Sequence, residues 1–456
     1  MSLFRTKPVT QEIDSGLRRC LTATDLTLLG IGAIIGAGIF VLTGVAAATK
    51  AGPAITLSYI VAGFACAFTA LAYAELASTV GGCGSAYGYS YAGFGEIIAW
   101  LIGWDLILEY GLATPTVAIG WSGYANNALV AMGVHLPPLL LAAPGAGGLI
   151  NLPAALIIAV LGTLLAIGVH MSARFNAAMV AIKLIAIAVF IGVAMFNVNP
   201  ANWHPYMPFG WEGVMGGAAL IFFAYIGFDA VSTAAEEAVR PQRDLPIGIL
   251  VSLAVCTVIY IVVSGLLTGI VPYTTLNVSS PVADALLNLG HRTAAGLIAA
   301  GAIAGLTTVM LVLYYGLTRI FLAMARDGLL PPVFSKVNPV TKTPLRIILV
   351  SGVFMALVAG LLPIGTVAEL VNIGTLAAFA LVCGGVIYMR YSHPDLPRPF
   401  RTPFSPVIPV LGIIFCSYLM YSLPLVTWQR FFIWMALGLV VYFAYSRSHS
   451  VLAKQH

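Results

Sequence analysis

Gly30-Ile31-Gly32-Ala33-Ile34-Ile35-Gly36-Ala37-Gly38-Ile39-Phe40 lies inside an apolar run that extends over 27–49. A helix needs about 20 apolar residues to cross a bilayer, so the run is long enough. Yet Gly30, Gly32, Gly36 and Gly38 fall within nine residues, and each glycine weakens a helix by about 1 kcal/mol relative to alanine. A seam for close helix packing would keep its glycines on one face, as Gly32 and Gly36 alone would. The four spread around the helix instead, and the stretch predicts a break near Ile35–Gly38. A second such place is Phe222-Phe223-Ala224-Tyr225-Ile226-Gly227-Phe228-Asp229, in the run 213–238. Asp229 is costly in lipid without partners. Just after a break it can cap the following half-helix and meet its positive end; the alternative is a polar contact with a neighbouring helix.

Outward from these two stretches, further apolar runs cover 53–78, 96–127, 153–169, 176–198, 248–271, 294–325, 345–362, 366–389, 406–423 and 430–446. Together they make about twelve spans. The chain has 456 residues, 60% hydrophobic and 8% charged, whereas a soluble domain carries about 25% charged residues. Runs of this length exclude barrel strands, so the expected class is an all-α integral membrane protein. With the N-terminus inside, 17 of the 21 Lys and Arg residues fall in inner segments, three (Lys50, Arg292, Arg430) fall outside and Lys183 alone lies within a span. That asymmetry places both termini in the cytoplasm of a multi-pass cell-membrane protein. It also accounts for the net charge of +5 without nucleic acid, leaving membrane lipid as the surrounding partner.

The six cysteines are scattered without metal or redox spacing, and the histidines form no paired motif. No metal, no cofactor and no nucleophile–base set is expected, which argues against an enzyme. A channel would need rings of charges or carbonyls built by symmetry, which two offset breaks do not suggest.

If five spans repeat twice, spans one and six correspond, and interruptions at matching places point to a midplane binding site. A break in span one exposes the N–H groups of Ala37, Gly38 and Ile39, which suit a carboxylate. The carbonyls of Ile34, Phe223, Ala224 and Ile226 suit an ammonium group. An α-amino acid carries both charges about 3 Å apart, within the reach of two adjacent breaks.

The residues Gly36-Ala37-Gly38-Ile39-Phe40, Phe223-Ala224-Tyr225-Ile226-Gly227-Phe228-Asp229 with Glu236-Glu237, Pro241-Gln242-Arg243 and Leu245-Pro246-Ile247-Gly248-Ile249, and Arg319-Ile320-Phe321-Leu322-Ala323-Met324-Ala325-Arg326-Asp327-Gly328-Leu329-Leu330-Pro331 resemble the amino acid–polyamine–organocation superfamily, in its cationic amino acid transporter branch and that branch's bacterial permease relatives. The resemblance covers nearly the whole chain. It implies a five-plus-five inverted repeat with discontinuous spans one and six and two extra C-terminal spans. The expected division is a cytoplasmic N-terminal segment at 1–26, repeats at 27–198 and 213–389, and 390–456 holding a cytoplasmic connector, spans eleven and twelve and the tail. It implies alternating access, substrate at Ile34, Ala37, Gly38, Phe223, Ala224 and Ile226, and aromatic gating by Phe223 and Phe228.

Lys183 lies about 10 Å into span five. It either snorkels to the headgroups or is a buried amine that gains and loses a proton. The resemblance favours the second, because sodium-independent relatives hold a lysine where sodium-coupled ones hold an ion, close to the backbone of Ile31–Gly32. Thr307 and Thr308 on span eight are further partners to consider. Glu109 lies about 20 Å into span three and either sets the polarity of the site or is a neutral carboxyl bonded to a neighbouring helix. Glu236 and Glu237, near Arg240 and Arg243, read as inner-gate or loop-fixing ion pairs, which the resembled family also carries. The expected activity is proton-coupled, sodium-independent amino acid uptake. Small neutral substrates such as alanine come first and arginine, lysine or ornithine next; exchange of one amino acid or amine for another is the alternative. A small single-span accessory subunit is left open.

Overall fold

The computed structural model describes residues 5–6, 21–80, 86–168, 173–341 and 343–454. Each of the twelve apolar runs coincides over most of its length with a helical segment. Spans one and two share Ala23–Val80, span three is Glu96–Val130, span five Phe175–Ala194, span six Gly210–Ser232, span seven Pro241–Ile270, span eight Arg292–Arg326, span ten Ile364–Ser392 and span twelve Leu425–His449. Spans four, nine and eleven are the shorter helices Leu152–Ile167, Leu345–Leu361 and Val407–Tyr421. No strand occurs among the described residues. Only helices satisfy the backbone within each segment, which hydrocarbon requires. Outward positions stay apolar, as at Val353, Leu357 and Ile185, each more than half exposed and suited to lipid tails.

The pairing of the helices carries the repeat. Span one packs on seven, and six packs on two. One touches five, and six touches ten; five packs on eight, and ten on three; five touches seven, and ten touches two. Exchanging one with six, two with seven, three with eight, four with nine and five with ten turns each of these contacts into another that is present. The pairs two–seven, three–eight and four–nine map onto themselves. Five spans is an odd number, so the second repeat enters the membrane from the opposite side and the symmetry is inverted.

Spans eleven and twelve pack outside the repeats, eleven on spans ten and two, twelve on ten and three. Indole N–H groups stitch spans three and twelve together: Trp100 donates to Gly438 O (2.8 Å), Trp104 to Trp434 O (2.9 Å) and Trp434 to Trp104 O (3.1 Å). At the end that carries the C-terminus, Glu75 of span two receives both Arg390 (2.7 and 2.9 Å) and the Thr402 N–H (2.7 Å), fixing the connector before span eleven. At the opposite end the short helix Pro281–Asn288 packs on span eight and is tied to span three, where Asn127 donates to Ser280 Oγ (2.6 Å) and Asp284 Oδ1 (3.1 Å). Burial raises the Asp284 carboxyl above its ordinary range, and bonds from Ser280 and Asn127 oppose that rise.

Candidate functional site

Both breaks are present. In span one the helix Ala23–Ile34 ends where Ile35 turns to φ −72°, ψ 95°, its N–H still donating to Ile31 O at 3.0 Å. Thr22 and Asp25 cap the start of this half-helix reciprocally. The chain resumes with a wide π-helical turn over Gly38–Leu42. In span six the helix Gly210–Ile221 tightens over Phe222–Tyr225, Ile226 turns to φ −59°, ψ 131°, and a tight helix follows over Asp229–Glu237. The α-helical part of the first half of each broken span is 12 residues long.

Glycine brings the two breaks into backbone contact. A Cβ on Gly38 would stand 2.2 Å from Ala224 Cα, and one on Gly227 would stand 2.9 Å from Ala33 C and O. Gly227 also has φ 122°, which other residues rarely adopt. Between the breaks is a small cavity lined by Ala33, Ile34, Gly36, Ala37 and Gly38 of span one, Ala113 and Val117 of span three, Phe223 and Ile226 of span six, and Val309 and Leu313 of span eight. Among the described residues, no ionisable side chain lines it. The N–H groups of Ala37, Gly38 and Ile39 open the second half-helix of span one, and the first N–H groups of a helix have no carbonyl within it to bond.

Of the residues expected from the sequence, Ile34, Ala37, Gly38, Phe223 and Ile226 meet at this cavity. Ile39, Ala224 and Phe228 are buried but do not line it. Phe228 belongs to an aromatic cluster with Tyr73 (5.7 Å between ring centroids) and Phe379 (5.0 Å). Glu109 is buried one helical turn before Ala113, with Asp105, Asp229 and Thr375 of span ten nearby, and its Oε1 has no hydrogen-bond partner among the described residues. Asp229 accepts from its neighbour Gly227 N–H (3.1 Å) and from Tyr110 OH (3.1 Å), so a hydroxyl from span three holds it as well as the local backbone. The Glu236 and Glu237 side chains lie outside the described residues; Arg240 is paired with Asp244 at 3.9 Å.

Lys183 is fully buried and does not snorkel. Its ammonium donates to Gly32 O (2.6 Å) and Ile35 O (3.0 Å), the carbonyls that end the first half-helix of span one. Those carbonyls lack helical partners and carry the negative end of the helix dipole, which suits a cation. Thr307 and Thr308 are not the partners expected for it: their hydroxyls bond back to Ile303 O (2.7 Å) and Gly305 O (2.8 Å) of their own helix.

Tyr260 of span seven was not legible as a site residue. Its hydroxyl lies 2.8 Å from Ile34 O and 2.9 Å from Ala224 O, one carbonyl from each break. A hydroxyl has one proton to give, so it serves both only by sharing. Two of the carbonyls expected to hold an ammonium group are thus bridged by the protein itself. A tyrosine in an apolar run carries no signal of this, because the bridge depends on three spans meeting.

Two inverted repeats, each with a broken first helix, and a cavity between the breaks are the architecture of a membrane transporter. The chain belongs to the amino acid permease family: that family's profile, described as "Amino acid permease", matches residues 21–442. It is 51% identical to the methylthioribose transporter of Bacillus subtilis over 99% of this chain and 100% of that one. It is also 51% identical to the branched-chain amino acid permease BcaP of the same organism, over 99% of each chain. Human cationic amino acid transporter 4 is 37% identical over 91% of this chain and 68% of its own length.

Proposed function

We propose that this protein takes up small or medium neutral L-amino acids across the cell membrane, coupled to protons and independent of sodium. The observation that carries the coupling is the Lys183 ammonium seated on Gly32 O and Ile35 O at the break of span one. A fixed cation there does the work of a bound sodium ion, and its loss of a proton frees the half-helix. The substrate carboxylate would meet the N–H groups of Ala37, Gly38 and Ile39, and its ammonium the carbonyls around Ile34, Phe223, Ala224 and Ile226 in exchange for Tyr260. Phe223 and Phe228 would gate the path, with Glu236 and Glu237 at the inner end. The repeats would run over 27–198 and 213–389.

The apolar lining of the cavity supports a neutral side chain, since an unpaired charge in a dry pocket is costly. Glu109, one helical turn before Ala113 on span three, offers a carboxyl for a cationic one. The branched-chain permease among the relatives supports neutral substrates, and the methylthioribose transporter supports a second reading in which a thio-sugar replaces the amino acid. Competition against labelled alanine tests this. Alanine, valine and leucine should compete at concentrations at least about tenfold below arginine, a difference of about 1.4 kcal/mol. Arginine far ahead of alanine would move the substrate to the cationic class, and competition by methylthioribose alone would remove amino acids altogether.

Both termini are proposed to be cytoplasmic. Val340, 87% exposed, and the exposed Asn277 lie in loops on opposite sides of the bundle. With single cysteines in a cysteine-free background, an impermeant thiol reagent applied outside cells should label Asn277→Cys and spare Val340→Cys. The reverse pattern would invert the orientation.

A further inference from the structure

We infer that Asn372 is the counterpart of Lys183 in the second repeat: a positioning residue that holds the first half-helix of span six as Lys183 holds that of span one. Asn372 is fully buried, and its Nδ2 donates to Ala219 O (2.7 Å) and Leu220 O (2.9 Å). These carbonyls lie in the last turn of the α-helical part Gly210–Ile221, where it tightens into Phe222–Tyr225 ahead of the break at Ile226. In span one, Lys183 takes Gly32 O and Ile35 O at the end of Ala23–Ile34. Gly32 and Ala219 each lie two residues before the last residue of their half-helix.

The donors correspond as well. The exchange that maps span one on six maps span five on ten. Lys183 stands about 15 Å along its helix from Ala173, and Asn372 about 12 Å along its own from Ile364. One geometry thus occurs twice, built from unrelated side chains. Carbonyls where a helix ends or changes its pitch in a dry interior take donors from elsewhere, and each repeat supplies them from its last span. The amide is oriented by these two acceptors, which only its NH2 end can meet. Its Oδ1 has no partner among the described residues.

The two clamps differ in one property. An ammonium can surrender its proton and let go, whereas an amide carries no charge. The clamp on span six therefore contributes to the rate at which that half-helix moves and not to the driving force. This rests on the transport reading above. Reconstituted Asn372→Leu, similar in shape but without donors, tests it against Asn372→Gln and Lys183→Ala.

Asn372→Leu should lower the maximal rates of net uptake and of counterflow exchange about tenfold or more, the loss expected when buried carbonyls go unpaired. Its KM should stay within about threefold, and its final accumulation ratio should equal that of the wild type, because neither the substrate contacts nor the coupling group is touched. Asn372→Gln should recover part of the rate. Lys183→Ala should show the converse pattern, with the accumulation ratio lost. Backbone hydrogen exchange over 219–226 should rise in Asn372→Leu whichever solute the protein carries, so the clamp is tested even if amino acid transport by the wild type is not found. Unchanged exchange over 219–226 would overturn the proposal. So would wild-type rates in Asn372→Leu, or glutamine and leucine variants equally slow. If the leucine variant does not fold, the glutamine variant decides alone: a lowered accumulation ratio at wild-type rate overturns the assignment, and a lowered rate at wild-type ratio sustains it.

Discussion

With acid outside, proteoliposomes containing the wild-type protein should accumulate substrate up to about tenfold per pH unit for one proton per molecule, since one unit is worth about 1.4 kcal/mol. Lys183→Ala should reduce that ratio to one. The substitution removes the donor to Gly32 O and Ile35 O and leaves a gap against Gly305, where the lysine stem now packs. Equilibrium binding should survive in part, because Lys183 does not line the cavity. Lys183→Arg should also fail to accumulate, as guanidinium does not release its proton in this range. Reversing the gradient should reverse the net flux of the wild type, and sodium should have no effect on it. The linkage is reciprocal: if proton binding biases the position of span one, the position of span one must bias proton binding. An arginine variant that still concentrates substrate would show that titration of this side chain is not the coupling step.

Gly38→Ala should abolish substrate binding and also lower stability, by about 3 kcal/mol, the upper end of the usual cost of overpacking a core. The added methyl would lie 2.2 Å from Ala224 Cα and 3.0 Å from its N, so backbone must move and the two breaks must part. From the sequence alone, a larger residue at Gly38 is expected to fill the space beside the N–H groups in a protein that still folds. The structure corrects that reason: the hydrogen that Gly38 has in place of a side chain faces span six. Gly36 is the control. A Cβ there would stand 3.5 Å from Val309, an ordinary contact, and would enter the cavity. Gly36→Ala should therefore fold like the wild type and weaken binding most for the larger amino acids. Thermal unfolding in detergent, paired with ligand binding, separates the two. A Gly38→Ala protein as stable as Gly36→Ala, with affinity intact, would refute the close-approach argument.

The sequence by itself determined the class of the fold and the places where it breaks. Hydrocarbon demands that each span satisfy its own backbone, so long apolar runs can only be helices, and a cluster of glycines or a carboxylate within one shows locally. Lys183, Glu109 and Asp229 stood out for the same reason: ionisable residues in lipid are costly and few. What each touches could not be read, because partners come from spans far apart in the chain. Thr307 and Thr308 were plausible partners of Lys183 by depth, yet their hydroxyls turn back on their own helix while the ammonium reaches span one. Phe228 neighbours Phe223 in the site motif, but it faces Tyr73 and Phe379 instead of the cavity. Tyr260 and Asn372 were silent in the sequence, since a hydroxyl or an amide becomes a clamp only when the carbonyl end of a broken helix is brought against it. Only the tertiary structure decided that, because it alone sets which helix ends face which spans.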